Sequence, residues 1–411
     1  MLGRIDSGQF KFRGIVLDET EQLRRLGQFS KAEAVIPFIR TEGENLYMDL
    51  RFAKFLESDF TAESIELLGK EHIKLLETSA TGKTKAIFDM GRQKFMLYIR
   101  CEVPDREAYN RRQPQREEFI STKDLVFPEV IDLITSRCNT KTGMLTNEEA
   151  IEIADGFILA DLVARLCFLL WSLKNFPKVT PEQFLVAQLN EGQIILRRFF
   201  RILQTLHKDS LEAICRACQD KLDESKVIPI WAMDEAQVVM EKFATYESIM
   251  HFEHTADENG HVSIRGLLYQ YTSFIVRKDK ITAHQLVVAG TALTAFATNS
   301  QVSSQLGKPE AERVAFPILA EDDVILRLSR VLNIDDVHWD EVVNLKLLTG
   351  RCRWCASVVH FISKAPERDT QEKERVLSSA IRNLSNLIAT DMVIGISSRL
   401  SDARRDMKAG S

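Results

Sequence analysis

The sequence contains no stretch that reads as a membrane span. Its most apolar run, Phe157 to Leu173, carries Asp161 and Arg165. Charges at that depth in a bilayer are costly, so a buried helix is the better reading. A disulfide framework is missing as well. The seven cysteines are an odd number and scattered, which fits a reducing compartment. The chain also lacks a strong charge excess. A formal net charge of -5 over 411 residues gives no global pull toward nucleic acid, although a local basic face stays open. The polar, charged start shows no leader or targeting segment. What is present, 45% hydrophobic and 27% charged residues, is ordinary for a soluble globular protein. The length suits two or three domains, or one large α/β domain with insertions.

Two Cys-x-x-Cys pairs, Cys215/Cys218 and Cys352/Cys355, could together form a four-thiolate zinc site. Both fall in segments that read as helical and lack the turn glycines of a zinc knuckle. Small core residues are the preferred reading.

One stretch organises the rest. His72 to Glu77 reads as a strand, Thr78-Ser79-Ala80-Thr81-Gly82 as a tight loop, and Lys83-Thr84 as the opening of an amphipathic helix over Lys85 to Arg92. Strand, small-residue loop and Gly-Lys-Thr make up the P-loop design. Loop N–H groups and the helix N-terminus cradle phosphates, the lysine reaches the terminal phosphates, and the threonine hydroxyl helps hold Mg²⁺. The full pattern places glycine where this chain has Glu77, and a carboxylate there would repel phosphate.

A second apolar run, Val227 to Met233, ends abruptly in Asp234-Glu235. This is the Walker B arrangement, in which a buried strand delivers a carboxylate to a Mg²⁺ shell and the next carboxylate orients water. A strand followed by a helix N-terminus explains the same residues. Pro229 would remove one ladder hydrogen bond from a central strand.

The remaining pattern fills in around these two. Strands are expected at Gly14–Asp18, Phe95–Cys101, Ala283–Ala289 and Arg313–Leu319, the last confined to an edge by Pro317. Helices are expected at Gln22–Ile36, Leu46–Glu57, Asn147–Lys174, Glu182–His207, Ser210–Leu222, Ile264–Val276 and Glu321–Leu332. Residues 103–122 read as a solvated loop. Residues 253–263, with His254, Asp257, Glu258 and His261, read as a surface hairpin or loop ahead of a metal site. Thr291 stands just past a strand, where a polar side chain can face a terminal phosphate. Arg351 and Arg353 open a late helix. There the dipole disfavours cations, so an anion, either a nucleotide phosphate or a nearby acid, is expected.

Thr81-Gly82-Lys83-Thr84, Phe95–Cys101, Met233-Asp234-Glu235-Ala236-Gln237, Gly290-Thr291-Ala292-Leu293 and Leu348-Thr349-Gly350-Arg351-Cys352-Arg353-Trp354 together resemble the P-loop NTPase module shared by Crinkler effectors and retrotransposon hot spot proteins. The resemblance covers about residues 62–365. It implies a three-layer αβα P-loop NTPase fold with a mainly parallel sheet, and with it a helical insertion over about 146–222. Residues 1–61 would be a mixed extension and 366–411 a helical tail with a disordered basic end. It implies ATP and Mg²⁺ as cofactors. Thr81, Gly82, Lys83 and Thr84 would bind phosphate, and Thr84 and Asp234 would hold the metal. Glu235 would orient water and Thr291 would sense the terminal phosphate. Arg351 or Arg353, from the same chain or a neighbour's in a homo-oligomer, would neutralise transition-state charge. It further implies secretion and delivery to a host nucleus, with no membrane partner. The chain departs from the family pattern in lacking the leucine-rich signature of the ubiquitin-like segment that often flanks the module. It also carries no nuclease-sized domain after the arginine motif, and it differs at Glu77 and Ala80. Two functions follow: an ATPase that switches conformation or assembly, or a degenerate fold that binds a host nuclear protein or DNA.

Overall fold

The computed structural model describes residues 10–12, 14–32, 36–40, 46–52, 72–77, 82–101, 124–138, 147–236, 252–254, 263–265, 267–276, 285–291, 312–313, 320–349, 352–366 and 368–386. It opens with β1 (Ile15–Leu17), α1 (Glu19–Leu26), β2 (Pro37–Arg40) and β3 (Leu46–Met48). Then come β4 (His72–Glu77), α2 (Lys83–Gln93) and β5 (Met96–Arg100). A helical block follows: α3 (Phe127–Cys138), α4 (Asn147–Asn175), α5 (Pro181–Leu189), α6 (Gly192–Leu203) and α7 (Lys208–Glu224). The chain continues with β6 (Ile230–Asp234), β7 (Phe252–His254), β8 (Ser263–Arg265), α8 (Leu267–Val276), β9 (Leu286–Thr291), β10 (Glu312–Arg313), α9 (Glu321–Val331) and α10 (Cys352–Lys364). A last helix, α11, covers 373–386.

The main sheet runs β10-β4-β9-β6-β5, with every pairing parallel. Side chains alternate between its faces, as strand geometry requires. Leu97, Ile99, Trp231, Met233, Leu286 and Val288 join one apolar cluster with α3, α4, α6, α7 and α8. Met96, Tyr98, Ile230, Ala232, Val287 and Ala289 join another with α2 and α5. The sheet is therefore buried on both sides, as a parallel sheet must be, and the class is α/β. Pro229 precedes the first residue of β6, so it removes no ladder bond from that strand.

β5 lies at the end of this strand order, and side chains cover its outer edge. Gln188 accepts from the Tyr98 N–H at 3.0 Å and donates to the Met96 carbonyl at 2.6 Å. Arg165 donates to the Tyr98 carbonyl at 2.6 Å. Asp124 accepts from the Arg100 N–H at 3.3 Å. The helical block thus supplies donors and acceptors that a neighbouring strand would otherwise provide, and protects an edge open to mispairing.

Several expected boundaries move. The single helix expected over Glu182–His207 is two. It breaks at Asn190, and Gly192 packs so tightly that a Cβ there would meet the Ala187 carbonyl oxygen at 2.6 Å and the Phe168 ring at 2.7 Å. α1 stops at Gly27 rather than continuing to Ile36, and Pro37 starts β2 instead of merely ending a helix. Leu46–Met48 is a strand, because it pairs with β2, where a helix was expected. Ile264 lies in β8, whose antiparallel pairing with β7 supports the hairpin reading and holds the start of α8 back to Leu267. The strand expected over Ala283–Ala289 is Leu286–Thr291. Among the described residues β10 pairs only with β4, at the sheet edge.

A third apolar cluster lies outside the sheet. Leu26, Phe29, Ile36 and Phe38 from the N-terminal segment pack with Val324, Leu328, Val358 and Ile362. Val376, Leu377, Ile381 and Leu384 of α11 belong to it too. The part of the expected tail that lies in α11 is therefore packed against residues near the other end of the chain. The basic stretch Arg404–Lys408 lies outside the described residues. Cys215 and Cys218 sit in the first cluster and Cys355 in this one. That separation removes the basis for one shared four-thiolate site.

Candidate functional site

β4 delivers the chain to the turn before α2. Gly82 caps that helix with φ 110, a left-handed conformation that glycine adopts without a Cβ clash. Its carbonyl accepts from the Ala86 N–H at 3.0 Å, so the first helical turn is formed. Lys83 is buried to 8% exposure at the first position of α2, and Thr84 follows, partly buried. The N–H groups of a helix start point toward this turn.

β6 delivers Asp234, 3% exposed, from the other side of β9. The Thr84 hydroxyl donates to Asp234 Oδ2 at 2.8 Å across 150 residues of sequence. The Tyr98 hydroxyl donates to the same oxygen at 2.9 Å, and the Glu235 N–H donates to Oδ1 at 3.0 Å. Hydrogen bonds to a charged acceptor contribute about 1.5–3 kcal/mol each. Burial raises the Asp234 pKa and the neighbouring Glu235 charge adds to the rise, while the bonds from Thr84, Tyr98 and the Glu235 N–H oppose it. Burial, and then the Asp234 charge, push the Tyr98 phenol well above its ordinary range, which keeps it a donor. Glu235 has φ 55, a strained state for a side chain of its size. That strain accompanies the N–H turned onto Asp234.

The three strand ends align. Glu77 stands opposite Thr291 in the β4–β9 register, and Met233 opposite Val288 in the β6–β9 register. The carboxyl edge of an open parallel sheet is where ligands bind in such folds. Thr291 thus has its backbone on this edge. Thr81, Ala80 and Arg351 lie outside the described residues, as do the side chains of Glu77, Thr291 and Arg353. Arg353 is the second residue of α10. Of the site residues read from sequence, Gly82, Lys83, Thr84, Asp234 and Glu235 come together.

Other participants are not evident in the sequence. Tyr98 reaches Asp234 only because β5 pairs beside β6, with Arg100 opposite Asp234. Arg51, just after β3, binds Asp49 at 2.5 Å and lays its guanidinium 5.0 Å from the centre of the Phe88 ring on α2. Burial opposes its charge, but Asp49, Tyr98 and Asp234 outweigh burial and raise its pKa. The N-terminal segment thus places a partly buried cation against α2, the helix that carries Lys83 and Thr84.

Behind Tyr98 lies a buried ionic network. Arg165 binds Asp161 at 2.9 Å and Asp124 at 2.8 Å, and Tyr271 donates to Asp161 at 3.0 Å. The Asp161–Arg165 spacing, four residues apart in an apolar helix, is the signal that marks it in the sequence.

Among the described residues no group of three or more His, Cys, Asp or Glu could hold a metal by itself. Mg²⁺ in nucleotide sites needs no such group. It is bound through one or two protein oxygens, water and the substrate phosphates, and the Thr84 and Asp234 oxygens fit that chemistry. No helix among the described residues is long and apolar enough to cross a membrane. Compared with protein-family models, curated proteins and solved structures, the chain matches none.

Proposed function

We propose that the chain is a P-loop NTPase of the Crinkler and retrotransposon hot spot type, using ATP·Mg²⁺ binding and hydrolysis as a conformational or assembly switch. The observation that carries this reading is the 2.8 Å bond between the Thr84 hydroxyl and the Asp234 carboxylate. Two motifs read independently from the sequence meet there, at the carboxyl edge of a parallel sheet. The strand order supports it too: β9 separates the strand before the loop from the strand bearing Asp234, and ligands bind outside the carboxyl ends of the strands in such sheets.

In this reading the Gly82 turn and the start of α2 hold phosphates, and Lys83 places its charge on the terminal groups. When bound, Mg²⁺ would neutralise charge developing on the phosphates. Asp234 and Thr84 would hold it, Glu235 would orient the attacking water, and Thr291 would sense the terminal phosphate. Arg351 or Arg353 would neutralise transition-state charge. The effector context, with secretion and a host nuclear destination, rests on the motif resemblance alone.

A second reading is favoured by one specific observation. Both oxygens of Asp234 already accept hydrogen bonds from protein groups. Such a closed arrangement also suits a degenerate fold that binds a host nuclear protein or DNA without turning over nucleotide. The test is ATP binding by the wild type and Lys83→Ala in parallel. The switch reading expects affinity to fall at least about a hundredfold in the variant. Equal affinity, or none in either protein, favours the binding module.

A further inference from the structure

α7 packs on the helical block through one buried stripe, Leu211, Cys215, Cys218 and Leu222. The exposed positions Ala213, Arg216, Ala217 and Asp220 flank it, so α7 is an outer helix with one face on the core and one in water. Larger aliphatic side chains would bury more apolar area at the two middle positions of the stripe. The chain has thiols there instead, and α4 sets another thiol, Cys167, against Cys218.

The Cys167 and Cys218 sulfurs are 3.7 Å apart, across 51 residues of sequence. Both thiols are buried, and Cys218 is the more open, at 6% exposure against 3%. A disulfide needs about 2.05 Å between its sulfurs, so each sulfur has only a short way to move. With the Cys167 S–H donated to it, the Cys218 thiol is held below its ordinary value against the pull of burial, while the same bond, with burial, raises Cys167. Burial, then the Cys218 charge, push Cys215 up to about 12. Of the three, Cys218 ionises first, and the thiolate is the form that reacts.

We infer that Cys167 and Cys218 form a reversible redox staple, oxidised by hydrogen peroxide to a disulfide that fixes α7 to α4. The Cys218 thiolate attacks one peroxide oxygen and the O–O bond breaks. This leaves a sulfenic acid on Cys218 and a hydroxide, which takes up the proton that Cys218 released and becomes water. The Cys167 sulfur then attacks the Cys218 sulfur, the S–S bond forms, and the sulfenic hydroxyl leaves with the Cys167 proton as a second water. Two electrons pass from the sulfurs to the peroxide, and a dithiol reductant returns them. The inference is independent of the nucleotide reading, because neither thiol belongs to the Asp234 edge.

The test treats the reduced full chain with hydrogen peroxide, alkylates the remaining thiols and maps the unreduced peptides by mass spectrometry. A Cys167–Cys218 linked peptide is expected as the main product, and dithiothreitol is expected to remove it. Cys215→Ala should keep the link. Cys167→Ala should stop at a Cys218 sulfenic acid, which dimedone captures. The link closes a long loop, so the oxidised wild type is expected to melt several degrees above the reduced form, with no such rise in Cys218→Ala. Absence of the linked peptide, either cysteine paired chiefly with another, or an oxidised form that melts no higher than the reduced one would each overturn the staple.

Discussion

Asp234 and Asp161 are both buried aspartates, yet they are held in opposite ways. Asp161 is 0% exposed and pairs with Arg165, also 0% exposed, with Asp124 and Tyr271 completing the set. Charge meets charge there, and burial raises Asp161 against the pull of Arg165. Asp234 instead takes its hydrogen bonds from two hydroxyls and a backbone N–H. The first arrangement is complete without a ligand and locks the helical block to the edge of β5. The second gathers neutral donors on a buried carboxylate at the sheet's carboxyl edge, with the Arg51 charge acting from nearby. Tyr98 joins the two, its hydroxyl on Asp234 and its carbonyl on Arg165.

The comparison breaks most visibly at Arg165. Arg165→Met leaves Asp161 and Asp124 buried without their cation, and is expected to cost about 3–5 kcal/mol in urea unfolding. A loss under about 1 kcal/mol would mean that the two aspartates are held by other groups. Glu21 gives a smaller, pH-dependent effect. Its hydrogen bond to Arg24 lowers its pKa to about 2, opposed by burial and aided by Arg25. A depressed carboxylate contributes stability that is present above its unfolded value near 4.5 and is lost as pH falls toward 2. Discounted for solvent screening, Glu21→Gln is expected to cost about 1 kcal/mol at neutral pH and nothing below about pH 2. Thermal melts across pH check this, and a constant deficit would contradict it. Tyr98→Phe is the mildest change. Losing one hydroxyl is expected to lower stability by about 1 kcal/mol. The sharper readout is the Mg²⁺ concentration for half-maximal ATP binding, which should shift while affinity for metal-free ATP stays put. No shift would reduce Tyr98 to a packing residue.

Those features confined to short stretches could be read from the sequence. An apolar strand, a small-residue loop and Gly82-Lys83-Thr84 announce their geometry locally, as does an apolar run ending in Asp234. The continuous burial of β5 and β6 was legible for the same reason, because both are short apolar runs. What could not be read depends on pairing between distant segments. Tyr98 becomes a partner of Asp234 only once β5 lies beside β6. Gln188 becomes an edge cap only once α5 packs on β5. Asp161 and Arg165 were visible as charges in an apolar helix and argued against a membrane span, but their partner Asp124 is 41 residues from Arg165. The shared core of the N-terminal segment with α9, α10 and α11 is a contact between chain ends, and no local pattern encodes it. Boundaries failed where tertiary pairing overrode local character, as at Leu46–Met48, which pairs as a strand although it reads as helical.

The measurement that bears most directly on the central claim is thermal stabilisation by ATP, with and without Mg²⁺, in the wild type and Asp234→Asn. The asparagine keeps an acceptor for the Glu235 N–H, and its amide can donate to the Thr84 and Tyr98 hydroxyls, so the ligand-free variant should melt no lower than the wild type. If Asp234 holds the metal, Mg²⁺ should add to ATP stabilisation of the wild type by several degrees and add nothing in the variant. An equal Mg²⁺ increment in both proteins would contradict the account.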